Sequence, residues 1–426
     1  MMAVAGGPRA VITGLGFVTS IGNDRATVTR HLRELIPGIE RFDFLPGVDL
    51  PVRVAGTIKG FETPGVAWPA WRWPAQYEIA RDLLRGLPPH GLYAIVAFEQ
   101  ALAAARLSRT DIANEDTGLL CASAGSPRLT RHHLNQITDS KGERISPMGI
   151  VSAIAGTLNF NLAAHYGIRG GVGGFASACA STTQAIGYAC DEIRLGRQQR
   201  VFVVGGEDLT FESVFPFHGM RALSLSSDPA RASRPFDRDR DGFVGTGGAV
   251  VLVIESAEAA VARGASIQAE VRGWGQAADG YNVAGSHPEG RGLATAMRRA
   301  LQAAQVSPGE IDYVNAHATS TPTGDRSEAL ALRTVFTDVG AHPCVSSTKA
   351  LTGHGLSLAG AMETAFCALS IADGFIPGAA NLEHPDPACD GLNLPRATLA
   401  KPPRFVLKNS SAFGGSNVCV VLSRWE

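Results

Sequence analysis

The chain lacks an excess of charge of either sign: 38 Lys and Arg stand against 39 Asp and Glu, a formal net charge of −1. No whole-protein field therefore draws it to nucleic acid or to an anionic membrane, and an acidic partner must be met by a local patch. It also lacks a cysteine framework. Its seven cysteines (Cys121, Cys179, Cys190, Cys344, Cys367, Cys389, Cys419) are odd in number, scattered, and never form a CxxC pair, which excludes a disulfide scaffold or a zinc ribbon. A basic segment followed by a long apolar run is missing from the start, and no stretch offers about 18 uninterrupted apolar residues. The expectation is a soluble cytoplasmic protein. His132 and His133 are adjacent, so their side chains diverge on a helix or a strand, and no metal site is expected there.

What is present is a long chain with ample apolar content: 426 residues, 45% hydrophobic, with 49 glycines. This composition fits an ordinary α/β protein with a large core. Apolar runs bounded by glycine read as buried strands at Ala10–Gly16, Gly118–Ser123, Arg200–Gly206 and Gly248–Glu255. Helical patterns at Tyr93–Ala105 and Thr183–Leu195 alternate with them, which predicts stacked layers with parallel strands. The pattern then restarts. Ser266–Gly275, Tyr313–Ala318, Arg404–Asn409 and Val418–Arg424 read as strands, and Leu356–Asp373 as a helix. A boundary near 256–264 divides the chain into halves 1–258 and 259–426, with no flexible linker between them. Gly38–Pro74 is proline-rich and weakly periodic, as expected of an excursion lying over the core.

Cys179 sits in FASACASTTQAIGYACDEI, where small polar residues give way to a helical pattern. A thiol at a helix N-terminus is favoured as the thiolate that attacks carbonyls, although free cysteines more often act as small hydrophobes. His317 in VNAHATSTPTGD and His354 in SSTKALTGHG, five residues after Lys349, each follow a strand, where loops converge outside a sheet. Either alone reads equally well as structural. In KNSSAFGGSN, the turn Phe413-Gly414-Gly415 is either a plain hairpin or a set of backbone N–H groups aimed at an oxyanion. The run DGFVGTGGAVVLVIE leads into a strand and fails as a phosphate loop.

These segments, in this order, resemble the elongating β-ketoacyl-(acyl-carrier-protein) synthases of the thiolase-like superfamily: ITGLGFVTSIGN at 12–23, SACAST at 177–182, SRPFDRDRDGFV at 233–244, NAHATSTPTGD at 315–325, SSTKALTGHG at 346–355 and NSSAFGGSN at 409–417. The resemblance spans nearly the whole chain. It implies a five-layered αβαβα fold of two similar halves and a dimer, either a homodimer or a heterodimer with a ketosynthase-like partner that sets chain length. It implies a decarboxylative Claisen condensation in which an acyl group rests on Cys179 and malonyl-carrier protein supplies two carbons. No cofactor is expected in the chain itself; the carrier protein supplies phosphopantetheine.

By the same resemblance, His317 and His354 stabilise the enolate, Lys349 and Glu363 organise the site, and Cys179, Phe413 and Gly414 form a second oxyanion hole with a gating aromatic. Thr319 and Thr321 line the substrate site, Arg85 and Arg221 dock the carrier protein, and Asp237, Arg240 and Asp241 form a structural loop network. The chain departs from the family at Ala318 and Ala412, where glycine is usual and alanine restricts the backbone, and at Thr182 and Ser411. Gly125 stands where some relatives have a bulky residue, which suggests room for a longer acyl chain. Lys408 is unusual beside Asn409; it is either a solvent-pointing lysine or an ammonium in the place of a structural cation. The departures favour a specialised polyketide or polyene pathway over housekeeping fatty-acid elongation. A catalytically silent partner is the remaining alternative, and the intact Cys179, His317, His354 and Lys349 argue against it.

Overall fold

The computed structural model describes residues 7–426, and its strands form two five-stranded arrays with one repeated order. The first half contributes β1 (Ala10–Val18), β2 (Thr117–Ala122), β3 (Val172–Gly174), β4 (Arg200–Glu207) and β5 (Gly248–Ser256). The second contributes β6 (Ala269–Ala278), β7 (Tyr313–Asn315), β8 (Cys344–Ser346), β9 (Phe405–Ala412) and β10 (Ser416–Ser423). The orders are β3-β2-β4-β5-β1 and β8-β7-β9-β10-β6. Each strand of the second array thus occupies the place of the strand five earlier. The two arrays meet where β1 pairs with β6 over Ala10–Ile12.

The strands are not all parallel, as the alternation had predicted. β2 runs parallel to β3 and β4, and β7 to β8 and β9, while β5 and β10 run antiparallel to their neighbours. An apolar run reports that a strand is covered on both faces, as β1 and β5 are throughout, but carries no sign of its direction.

Helices α1 (Pro89–Ala105), α2 (Thr157–Tyr166), α3 (Ser181–Arg194), α4 (Arg291–Ala304), α5 (Pro322–Val335) and α6 (Ala359–Asp373) complete the layers. α1 and α2 cover the outer face of the first array, and α4 covers that of the second, with α5 beside it. Between the arrays, α3 and α6 pack on each other and touch both. The result is the αβαβα order of layers. A helix apolar all round must be buried on every side. This explains Leu356–Asp373, long and apolar enough to cross a membrane by length and composition, yet 89% buried as a core element. The crossing of α3 and α6 depends on Gly360, where a Cβ would lie 2.4 Å from the backbone nitrogen of Thr183.

The segment at 38–74 does lie over the core. A small hairpin, Ile39–Arg41 with Val54–Gly56, leads a cover in which Phe44, Val52 and Ala55 pack with Val214, Leu223, Phe243 and Leu356.

Candidate active site

Cys179 is presented by a tight turn rather than by the helix itself. Ala178 adopts φ +44°, a left-handed conformation that costs a non-glycine residue about 1–2 kcal/mol. Ser181 clamps the turn: its hydroxyl accepts from the Ser177 N–H at 2.8 Å and donates to the Ala178 carbonyl at 2.7 Å. The thiol is thereby held just before the first turn of α3, which starts at Ser181.

His354 arrives from the second half. Its loop is stitched to the first half by its own N–H, which donates to the Val244 carbonyl at 2.7 Å, and by the Thr246 N–H, which donates to its carbonyl at 3.1 Å. The ring Nε2 then lies 3.0 Å from the Cys179 sulfur. His317, after β7, meets the His354 ring edge-on, with centroids 5.4 Å apart and planes at 86°. One ligand-type atom from each of Cys179, His317 and His354 falls within 4.8 Å of the others.

Burial and the positive charges of Lys349 and Lys408 hold both histidines well below 6.5, so they are neutral at physiological pH; His354 adds to the effect on His317. The Nδ1 atoms of both rings are buried and have no hydrogen-bond partner among the described residues. Burial pushes the Cys179 thiol up to about 12, although Lys349 pulls the other way. The resting group is therefore a thiol, a correction to the expected thiolate. Its proton sits within reach of His354.

Behind the histidines lies a charged core. Lys349 donates to the His317 carbonyl at 2.6 Å and pairs with Oε1 of Glu363, both side chains being almost wholly buried. Lys408 does not point to solvent. It is fully buried, 3.2 Å from Oε2 of Glu363, and donates to Thr183 Oγ1 at 2.9 Å and to Ser410 Oγ. The two hydroxyls take hydrogen bonds from the ammonium and Glu363 Oε2 faces it as an ion pair, so the ammonium already supplies a positive charge at this carboxylate. Glu328, which sequence reasoning missed, accepts the N–H groups of His317 at 2.9 Å and Ala318 at 2.6 Å and the Asn409 side-chain amide at 3.0 Å. Its signal was available: Asp325, Glu328, Leu332 and Val335 are spaced along one buried face of α5, where an acid needs a reason.

Asp237, Arg240 and Asp241 bond loop backbone, the structural network the resemblance implied, and Arg240 pins the loop after His317. Arg240 donates to the carbonyls of Thr321 at 3.1 Å and Pro322 at 2.6 Å, and Asp237 accepts from the N–H groups of Glu383 and His384 at 2.8 Å. Asp241 accepts the Leu225 N–H at 2.9 Å. Thr319 and Thr321 lie together on this loop, their hydroxyls 3.1 Å apart.

The C-terminal turn is the hairpin between β9 and β10, and it is also part of the site's rim. Phe413, 39% exposed, contacts Phe217, which contacts Phe243, whose ring meets His354 edge-on. This aromatic line was not visible in the sequence, because Phe217 and Phe243 lie far from Phe413 along the chain. Gly414 is not a free oxyanion donor: its N–H donates to the Val283 carbonyl at 2.7 Å. Its φ of 72° shows what the glycine serves, the turn itself. Ala412, at φ −140° and ψ 168°, is extended, a conformation alanine adopts without strain.

Gly125 is also corrected. It has φ +78°, and a Cβ there would lie 2.5 Å from the Ala153 carbonyl oxygen and 2.9 Å from the Ala155 nitrogen. Backbone already fills the space a side chain would take, so the glycine opens no room for an acyl chain. Arg221 is exposed at the end of the turn that carries Phe217, beside the aromatic line. Arg85 is exposed elsewhere on the surface and lies 3.5 Å from Asp82. No described contact joins Arg85 to Arg221. Glu207, another residue unnoticed in the sequence, is buried at the end of β4, accepts from the Ala124 N–H and the Ser357 hydroxyl, and is raised to about 7 by burial.

Comparison with known proteins agrees with this geometry. Residues 8–260 match the family description "Beta-ketoacyl synthase, N-terminal domain", and residues 268–383 match "Beta-ketoacyl synthase, C-terminal domain". The chain is 37% identical over 421 residues to 3-oxoacyl-(acyl-carrier-protein) synthase 1 of Escherichia coli K12, covering 98% of this chain and 99% of that one. Among solved structures, a β-ketoacyl synthase from Burkholderia phymatum STM815 superposes with a TM-score of 0.89 at 32% identity, covering 98% of this chain and all of that one. The ishigamide ketosynthase/chain length factor superposes with a TM-score of 0.86 at 29% identity, covering 99% of this chain and all of that one. With both family regions matched in order around one Cys-His-His cluster, the chain belongs to the β-ketoacyl synthase family.

Proposed function

We propose that the chain catalyses decarboxylative condensation of an acyl group held on Cys179 with malonyl-carrier protein, giving a 3-oxoacyl-carrier protein two carbons longer. The observation that carries this reading is the 3.0 Å approach of His354 Nε2 to the Cys179 sulfur, with neutral His317 set against the same ring. In loading, the sulfur attacks the thioester carbonyl of acyl-phosphopantetheine while its proton passes to His354 Nε2. The carbon–sulfur bond to the carrier breaks, and the departing thiolate takes that proton back. Cysteine suits this step because it is both nucleophile and leaving group.

In condensation, the N–H groups of His317 and His354 donate to the thioester oxygen of the malonyl group. The bond to its carboxylate breaks, carbon dioxide leaves, and the electron pair becomes an enolate stabilised on that oxygen. The enolate carbon attacks the acyl carbonyl, the bond to Cys179 breaks, and the released thiolate takes a proton from water. His354 thus accepts at Nε2 during loading and donates from it during condensation, so its ring proton moves between the two nitrogens within the cycle.

The carrier protein delivers both acyl groups on phosphopantetheine, with Arg221 beside the aromatic rim as one docking contact and Arg85 as a second, more distant one. The protein works in the cytoplasm as a dimer, with itself or with a ketosynthase-like chain. The outer edge of β3 has no partner strand among the described residues, and Ile150, Ile154, Phe160 and Val172 are exposed on the segments around it. The test is to incubate the protein with malonyl-carrier protein and a panel of saturated and polyene acyl-carrier proteins. A product two carbons longer, lost with Cys179→Ala, is expected. Product formed without Cys179 would overturn the reading, and the preferred acyl chain separates fatty-acid from polyene pathways.

A further inference from the structure

The charged core holds one lysine more than the site's chemistry requires. Lys349 already reaches both Glu363 and the His317 carbonyl. Lys408 then takes the other oxygen of the same carboxylate from the opposite side, on strand β9, with no exposed surface. Burying an ammonium is expensive, and it persists only where pairing and hydrogen bonds offset the lost hydration. Here they do: Glu363, Thr183 and Ser410 surround it. Thr183 lies in the first turn of the helix that Cys179 precedes, and Ser410 lies three residues before Phe413, so the ammonium ties the nucleophile's helix to the strand that ends in the aromatic rim.

The charges decide what this extra lysine does. The buried charges acting on the histidine rings are Lys349 and Lys408, and His354 Nε2 meets Cys179; Glu363 pairs with both lysines, Glu328 accepts the His317 backbone N–H, and Glu207 acts on Cys179 from β4. With Cys179 a thiol, two ammonium groups stand against the carboxylates of Glu363 and Glu328, with Glu207, raised to about 7 by burial, as a partly ionised third. Without Lys408 the same core would carry a net negative charge beside the position where enolate charge develops.

We propose that Lys408 is a positioning residue that keeps the condensing site in charge balance, offsetting Glu363 so that Lys349 remains an effective positive charge beside His317 and His354. The inference rests on the condensing role assigned to Cys179. Its consequence has a definite sign. Removing the ammonium favours imidazolium, so the histidines protonate at higher pH and the acid limb of activity moves upward.

The test compares three proteins: wild type, Lys408→Met, and the double variant Lys408→Met/Glu363→Gln, which removes one charge of each sign. Cys179 acylation by acyl-carrier protein is followed by intact mass, and condensation by product formation, each across pH. Lys408→Met should lower condensation about tenfold or more at neutral pH and raise the acid limb by about one pH unit. The double variant should return the acid limb to its wild-type position, although every ion pair to residue 408 is gone. A Lys408→Met enzyme that loses activity with an unmoved acid limb, or a double variant whose limb stays raised, would overturn the proposal and leave Lys408 a packing residue. If the variants do not fold, lysine-selective labelling of the wild type decides by NMR: a charged Lys408 amine at neutral pH is required, and a neutral one overturns the proposal. Wild-type protein that forms no 3-oxoacyl product would instead count against the condensing reading and not against Lys408.

Discussion

In the first half, the loop from β3 to central helix α3 carries Cys179; in the second, the topologically equivalent loop from β8 to central helix α6 carries Lys349 and His354. His317 follows β7, and its counterpart after β2 is the Ser123–Gly125 turn, which bears no catalytic group. One architecture has thus been loaded unequally. In the proposed mechanism the nucleophile comes from one copy, while both histidines and most of the charge network come from the other. The contact between α3 and α6, with Gly360 against Thr183, brings the two sets together. Each copy alone presents a helix N-terminus with loops around it; the chemistry arises only where the two face each other.

Substitutions can test that division of labour. The largest effect should follow Cys179→Ala, with condensation falling by about three orders of magnitude or more because no thioester can form. His317→Ala and His354→Ala should each cost about 10²–10³ in condensation, the scale for losing one oxyanion donor, measured as 3-oxoacyl product per time. His354→Ala should also slow loading, because its Nε2 is the group at the sulfur. The pH dependence sharpens the same contrast. Because burial and the two lysines depress both histidines, the neutral, active form persists through pH 6.5 and is lost only as pH falls below it. An acid limb at or above 6.5 would contradict the charged core as described. Gly125→Val should destabilise by about 1–3 kcal/mol, seen as a lower Tm, through its left-handed φ and the adjacent backbone. The smallest change should come from Phe413→Ala, a few-fold loss in kcat/KM with little change in Tm, since the ring is partly exposed and packs mainly on Phe217.

The two halves also differed in how far the sequence displayed them. Long buried strands such as β1, β4 and β5 were legible as apolar runs, and the restart near residue 260 became the repeated strand order. The strands β3 and β8 were not, because Val-Gly-Gly and Cys-Val-Ser each carry too little apolar signal to stand out from the loops around them. Outer helices α4 and α5 were passed over as well. Around the site, Cys179, His317, His354 and Lys349 stood out through their motifs. Glu328 and the burial of Lys408 did not, because a charged residue in a sequence is read as exposed until its partners are known, and each has a partner far along the chain, Asn409 81 residues from Glu328 and Thr183 225 from Lys408. Gly125 and Gly414 misled for a related reason. A glycine marks a backbone requirement, and only the fold shows whether that requirement is a turn, a close approach or open space.

The central claim, that the acyl group is held on Cys179 of one half while His317 of the other serves condensation and not loading, is tested most directly by intact mass spectrometry of His317→Ala enzyme given acyl- and malonyl-carrier protein. The account predicts that acyl-Cys179 accumulates to the wild-type level while almost no 3-oxoacyl product appears. An enzyme that fails to acylate, or one that condenses at the wild-type rate, would contradict it.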